Sequence, residues 1–121
     1  MPCRGDLSVV DLRPWLGHLA LIDLDSTGDT FRLCGTNLFA RFGGDVTGFR
    51  VADLRGEGGR VIRDCIARIR AETVPDVENH TQLIHGEEVT FNELALPLSN
   101  SGAELKVVLV ASYPAKAKQA C

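Results

Sequence analysis

Apolar and polar residues alternate with the period of a strand in several stretches of this chain and follow helical spacing between them. From Leu19 to Asp25, Ala20, Ile22 and Leu24 fall on one side and Leu21, Asp23 and Asp25 on the other, which reads as a strand with one dry face. Ser26-Thr27-Gly28-Asp29 carries turn chemistry. Phe31 and Leu33 then alternate with Arg32, so the two runs form a hairpin in which Arg32 pairs across the strands with an aspartate at the surface. Ahead of the hairpin, Pro14 suits a first helical turn and Gly17 a helix stop, which predicts a helix of a turn or two.

Helical spacing follows. Thr36 is placed to cap a helix after Gly35, with Leu38, Phe39 and Phe42 on its apolar side and Gly43-Gly44 to end it. Asp45-Val46-Thr47-Gly48 is a turn, and Val51 to Leu54 makes one further helical turn before Gly56-Glu57-Gly58-Gly59. From Arg60 to Ala71 the residues Val61, Ile62, Cys65, Ile66 and Ile69 form one stripe, with Arg60, Arg63, Asp64, Arg68 and Arg70 outside it. The arginines toward its C-terminus also suit the helix dipole.

After Pro75 the period returns to two. Val77, Thr81 and Leu83 lie on one side and Glu78, His80 and Gln82 on the polar side, up to a turn at His85-Gly86-Glu87. Val89 and Phe91 are in phase with each other but not with Leu94, Leu96 and Leu98, so a bulge is expected near Asn92-Glu93. Ser99 to Gly102 is a connection, and Leu105 to Tyr113 is nearly continuously apolar, as suits a strand near the centre of a sheet. The order predicts an α+β fold: a five-stranded antiparallel sheet with helices packed on one face. It forms a single domain over residues 1–113, with a polar tail over residues 114–121.

At 121 residues the chain holds one core. Its 45% hydrophobic and 24% charged residues are ordinary for a globular domain. A formal net charge of -3, with basic residues interleaved among acids, argues against nucleic acid as a partner. No apolar run reaches membrane-spanning length, and Met1 to Asp6 lacks the apolar stretch of a signal peptide, so a cytoplasmic protein without a membrane partner is expected. The cysteines, at 3, 34, 65 and 121, show no close pair and no metal spacing. Cys65, between Ile62 and Ile66, reads as a small buried apolar group, whereas Cys3 and Cys121 read as thiols that cross-link protomers or oxidise on handling.

Several segments together resemble the PAS domain, and within it a small bacterial family frequent in alphaproteobacteria. They are Leu12-Arg13-Pro14-Trp15-Leu16-Gly17-His18 with the strand Leu19 to Asp23, Phe31-Arg32-Leu33-Cys34-Gly35-Thr36, Phe42-Gly43-Gly44-Asp45-Val46-Thr47-Gly48, and Glu93-Leu94-Ala95-Leu96-Pro97-Leu98-Ser99. The resemblance implies a cavity between sheet and helices, and dimerisation through the N-terminal segment or the sheet. It also implies a sensory role exerted in trans on a protein signalling partner.

The helical stripe, with Phe39, Phe42, Ile62, Cys65, Ile66 and Phe91, would line a pocket for a small apolar ligand. The alternative is a filled core, the default for protein interiors. Glu93, among Phe91, Leu94 and Leu96, either faces that interior and finds a donor or points outward. His18, His80 and His85 fall at a helix end, on the polar side of a strand and in a turn, so they read as exposed spacers rather than metal or haem ligands. Asn37 to Arg41 lacks the reactive cysteine of a flavin photosensor, and Gly56 to Gly59 lacks the lysine of a phosphate cradle, so the cofactor is unknown. The expected function is a non-enzymatic sensory or interaction domain. The competing reading is a small isomerase-like enzyme with Glu93 as general base, against which the early hairpin counts.

Overall fold

The computed structural model describes residues 13–99 and 105–115; Cys3, Cys121, the connection at residues 100–104 and the tail from residue 116 lie outside them. The opening hairpin is built as its pattern predicts. Strand β1 (Leu19–Asp23) pairs antiparallel with β2 (Thr30–Cys34). The register passes from Leu21 opposite Leu33 to Ile22 opposite Phe31, which leaves Arg32 as the extra residue. Its Nε donates to the Asp23 carboxylate at 2.6 Å, the predicted cross-strand pair.

The first helix, Arg13–His18, has 3-10 geometry and ends one residue beyond Gly17, directly before β1. Close packing explains this glycine. A Cβ on Gly17 would stand 2.6 Å from the Asn37 side-chain nitrogen, and one on Gly35 only 2.2 Å from the Leu16 carbonyl oxygen. The helix therefore lies against the turn that follows β2, an approach that a side chain at Gly35 would block because it would meet backbone. That turn is a 3-10 helix, Thr36–Leu38, preceded by Gly35 without a side-chain cap, so Thr36 begins the element instead of capping it. Helix α1 (Phe39–Phe42) continues from it and is closed by Gly43 in the left-handed region.

A 3-10 turn at Val51–Asp53 leads to α2 (Gly56–Glu72), which starts at Gly56 rather than Arg60. The glycines expected to precede this helix form its first turn. A Cβ on Gly58 would lie 2.2 Å from the Arg41 carbonyl oxygen, so the missing side chain lets α2 abut the end of α1.

Strands β3 (Asp76–Ile84), β4 (Glu87–Ser99) and β5 (Leu105–Pro114) complete an antiparallel sheet of order β2-β1-β5-β4-β3, with β5 central as its apolar run predicts. The β3–β4 hairpin turns at His85 and Gly86, both with positive φ, the geometry of the tight turns that match strand twist. Pro97 is tolerated inside β4 because β3 ends at Asp76 opposite Ala95, leaving an edge at that point.

Helices α1 and α2 cover one face of the sheet, where Ala20, Ile22, Phe31, Ala95, Val108 and Val110 meet Leu38, Ile62, Cys65, Ile66 and Ile69. Burying apolar surface of this kind contributes about 25 cal/mol per Å². The opposite face is apolar as well. There Leu19, Leu98, Val107 and Leu109 form a second cluster, joined by Leu16 of the first 3-10 helix.

Two strand expectations are corrected. No bulge interrupts β4 at Asn92-Glu93: pairing with β3 is continuous from Ala95 to Glu87, and the shift against β5 falls between Leu98 and Ser99. Phe91, Glu93 and Ala95 all face the helices, and the leucines at 94, 96 and 98 supply the second apolar face. Strand β3 is turned the other way from its pattern. Val77 is 73% and Leu83 64% exposed, whereas Gln82 is 7% exposed. The polar side of this strand faces inward.

Candidate functional site

The inward polar side of β3 is matched by cations on the helices above it. Arg41 stands on α1, whose position is set by the buried Leu38, by the close approach of Gly58, and by Phe42 meeting Phe31 edge to face with centroids 5.5 Å apart. Its side chain runs down onto β3, β4 and β5. Nη1 pairs with the Glu93 carboxylate and donates to Ser112 Oγ at 2.7 Å. Glu93 and Ser112 sit directly opposite each other on β4 and β5, so the register delivers both acceptors to one nitrogen.

Gln82 holds the same arginine from β3. Arg41 Nε donates to Gln82 Oε1 at 3.3 Å, and Gln82 Nε2 donates to the Arg41 carbonyl oxygen at 3.0 Å. The guanidinium also lies 4.6 Å from the centroid of the Phe91 ring and 5.5 Å from that of Phe42. A cation so enclosed by ring faces gains a further attraction that grows as water is excluded.

Desolvation makes this arrangement costly. The Arg41 and Glu93 side chains are 1% and 2% exposed, and a buried ion pair often recovers no more than its desolvation penalty. Three polar atoms in it remain without a hydrogen bond: Arg41 Nη2, His80 Nε2 and Glu93 Oε1. His80 Nε2 stands 3.5 Å from Glu93 Oε1. One orphan is a donor, one an acceptor, and the imidazole nitrogen serves as either. Orphans this deeply buried are uncommon in folded proteins.

Farther along β3, Arg68 of α2 grips Asp76 through two hydrogen bonds of 2.9 Å and lies 3.9 Å from Glu78. Those bonds from Arg68 hold the Asp76 carboxyl below the usual carboxylate range and push the Arg68 guanidinium up. Asp76, Glu78, His80 and Gln82 thus each face a charged partner on α1, α2 or β4.

The site residues expected from sequence divide into two groups. Ile62, Cys65 and Ile66 are buried in the packed core, with Phe39 and Phe42 against it. Burial pushes the Cys65 thiol up to about 12, so it behaves as the apolar group expected of it. Phe91 and Glu93 belong to the polar cluster, and Glu93 faces inward with a donor in hand. Arg41, His80, Gln82 and Ser112 complete the cluster and escape the sequence reading. Their signal is weak: an arginine between Phe39 and Phe42, and a serine closing an apolar run.

The expected exposure of the histidines is corrected for two of them. His80 has a side chain only 16% exposed. His18 is half-buried, stacked on Tyr113 with centroids 4.0 Å apart, with Nδ1 at 3.3 Å from the Ser112 carbonyl oxygen. His85 is exposed in its turn. Among the described residues no cluster of three or more His, Cys, Asp or Glu side chains could hold a metal, and no helix is long and apolar enough to cross a membrane.

This architecture is found in solved structures of low identity. RsLOV superposes with a TM-score of 0.58 at 14% identity, over 81% of this chain and 60% of that one. The chain therefore spans less than two thirds of that relative. The PAS domain from Bordetella pertussis BvgS gives a TM-score of 0.58 at 18% identity, over 92% of this chain and 86% of that domain. Among curated proteins none matches. The family model of the PAS domain matches residues 1–110, and since it spans nearly all of the fold just described, the chain belongs to the PAS domain family, a fold generally used for sensing and signalling.

Proposed function

We propose that this PAS domain is a non-enzymatic sensor that receives its signal at the Arg41 cluster and passes it to a protein partner, a second copy included, at the opposite face of the sheet. The observation that carries the reading is the buried Arg41–Glu93 pair with its three unpaired polar atoms. An ion pair retained at little net gain in stability is better suited to a two-state element than to a scaffold. A small molecule that both donates and accepts hydrogen bonds would satisfy these atoms, and in doing so would draw α1 toward or away from the sheet.

The route outward is short. Ser112 accepts from Arg41 on the inner face, and the next residue, Tyr113, stacks on His18 on the outer side. On that side Val77, Leu83, Leu94 and Tyr113 are exposed beside the leucine cluster, an apolar surface fit for a protein partner. The buried free thiols of Cys34 and Cys65 fit a reducing cytoplasm. Glu93 is a poor general base here, because its carboxylate is already committed to Arg41.

Sedimentation of the wild type and of Leu94→Glu, alongside the double variant Arg41→Met/Glu93→Leu, tests this reading. The wild type is expected to self-associate, Leu94→Glu to be monomeric, and the double variant to change the association constant although it lies on the other face. A monomeric wild type removes a second copy as the partner, and association indifferent to the double variant defeats the proposal.

A further inference from the structure

A second feature lies apart from that cluster, where the β1–β2 turn, the Val51–Asp53 turn and α2 converge. Gly28, Asp29, Val51, Ala52, Arg63, Ile66, Ala67 and Arg70 enclose a crevice of about 330 Å³, within the range of small-molecule sites. Its walls are tied together. The Val51 amide donates to the Asp29 carbonyl oxygen at 2.9 Å, and Arg70 holds the Asp29 carboxylate through bonds of 2.6 and 2.7 Å.

The charge inside is unbalanced. Asp29 is neutralised by Arg70, but Arg63 faces no carboxylate among the described residues. Its Nη1 donates to the carbonyl oxygens of Val51 and Leu54 at 3.3 and 2.8 Å, and its Nε and Nη2 donate to no described residue. A second arginine reinforces the sign: Arg50 donates to the Thr27 carbonyl at 3.4 Å and packs against Gly28. Val51, Ala52, Ile66 and Ala67 supply an apolar floor of short side chains that admits a flat body.

We infer that this crevice binds an aryl carboxylate, its ring on the apolar floor between the Val51–Asp53 turn and α2 and its carboxylate on the Arg63 N–H groups that donate to no described residue. Arginine suits this task because its planar fork matches a carboxylate edge to edge. The site rests on residues separate from the Arg41 cluster, so it stands or falls independently of the sensing proposal.

Titration of the isotope-labelled protein with naphthoate, followed by backbone amide resonances, is the test, with naphthylmethanol as the uncharged control. Saturable shifts are expected at Ala52, Ala67 and Arg70, with the alcohol bound about tenfold more weakly, the difference made by one charge-assisted contact. Arg63→Gln should weaken naphthoate about tenfold. Because Arg63 also holds backbone carbonyls, Ala67→Glu gives a second arm: it keeps the Arg63 side chain, changes an exposed helical position one turn away, and should abolish binding by placing a like charge in the crevice and competing for the guanidinium. Equal binding of acid and alcohol, shifts centred on Phe91 and Ala95, unchanged binding by Ala67→Glu, or no saturation below about 10 mM would each overturn the assignment.

Discussion

Arg41 of α1 and Glu93 of β4 form an ion pair with both side chains almost wholly removed from solvent, and this pair ties the helical layer to the sheet. Removing one member leaves the other charge buried without compensation. Arg41→Met or Glu93→Leu alone should therefore cost about 3–5 kcal/mol. The double variant Arg41→Met/Glu93→Leu should lose far less than the sum, because hydrophobic replacement of a buried pair is often neutral. Urea unfolding of the four proteins measures the coupling, and additive losses would show that the pair does not act as a unit.

Gly58 controls how that arginine is presented. Alanine in a helix interior is ordinarily favoured over glycine by about 1 kcal/mol. At this position the added methyl would meet the Arg41 carbonyl oxygen at 2.2 Å, a backbone atom that cannot swing aside. Gly58→Ala should therefore destabilise the protein by about 1–3 kcal/mol despite its better propensity. A rise in the urea midpoint would mean that α1 gives way freely.

The strands and the long helix were legible because their apolar periods are long and regular. The hairpin pair Arg32–Asp23 and the central place of β5 follow from the same rule. Reading fails where polar residues face inward. On β3 the alternation of Val77, Thr81 and Leu83 with Glu78, His80 and Gln82 gives the period correctly and the facing wrongly, since cations on α1 and α2 reward the polar side for turning in. Such pairing is tertiary and leaves no local mark. The phase change read in β4 has a similar cause: a strand buried on both faces offers two interleaved apolar sets, and Phe91 and Leu94 belong to different ones. The glycines from Gly56 to Gly59 read as a spacer because propensity sees only their cost, whereas two of them, Gly58 and Gly59, make room for neighbouring backbone and side chains.

Cys65 gives a probe of opening between α2 and the sheet. With its thiol pushed up to about 12 by burial, only roughly one molecule in ten thousand carries the thiolate at about pH 8 in the folded state. Iodoacetamide labelling of the peptide containing Cys65 should be very slow in buffer and should accelerate with urea along the unfolding curve. Rapid labelling of the folded protein would show that α2 lifts from the sheet locally.

Acid stability offers a test of the other anchor of β3. Hydrogen bonds from Arg68 hold the Asp76 carboxyl below its ordinary value of 3.8. A group whose folded pKa is depressed adds stability that is fully present above the unfolded value and is lost as pH falls through the folded one. Asp76 should thus contribute to the acid limb at and below about pH 4. Since the Arg68 side chain is 39% exposed, the pair is screened, and Asp76→Asn should cost about 1 kcal/mol at neutral pH. The variant and wild-type stabilities should converge as the pH is lowered, because protonation of Asp76 removes the same charge. The Asp25 and Asp45 carboxyls, lowered chiefly by bonds from the Thr27 and Thr47 backbone amides, leave part of the acid dependence in place. Urea unfolding across this range separates the contributions, and a stability difference that stays constant down to the lowest pH would remove Asp76 from the account.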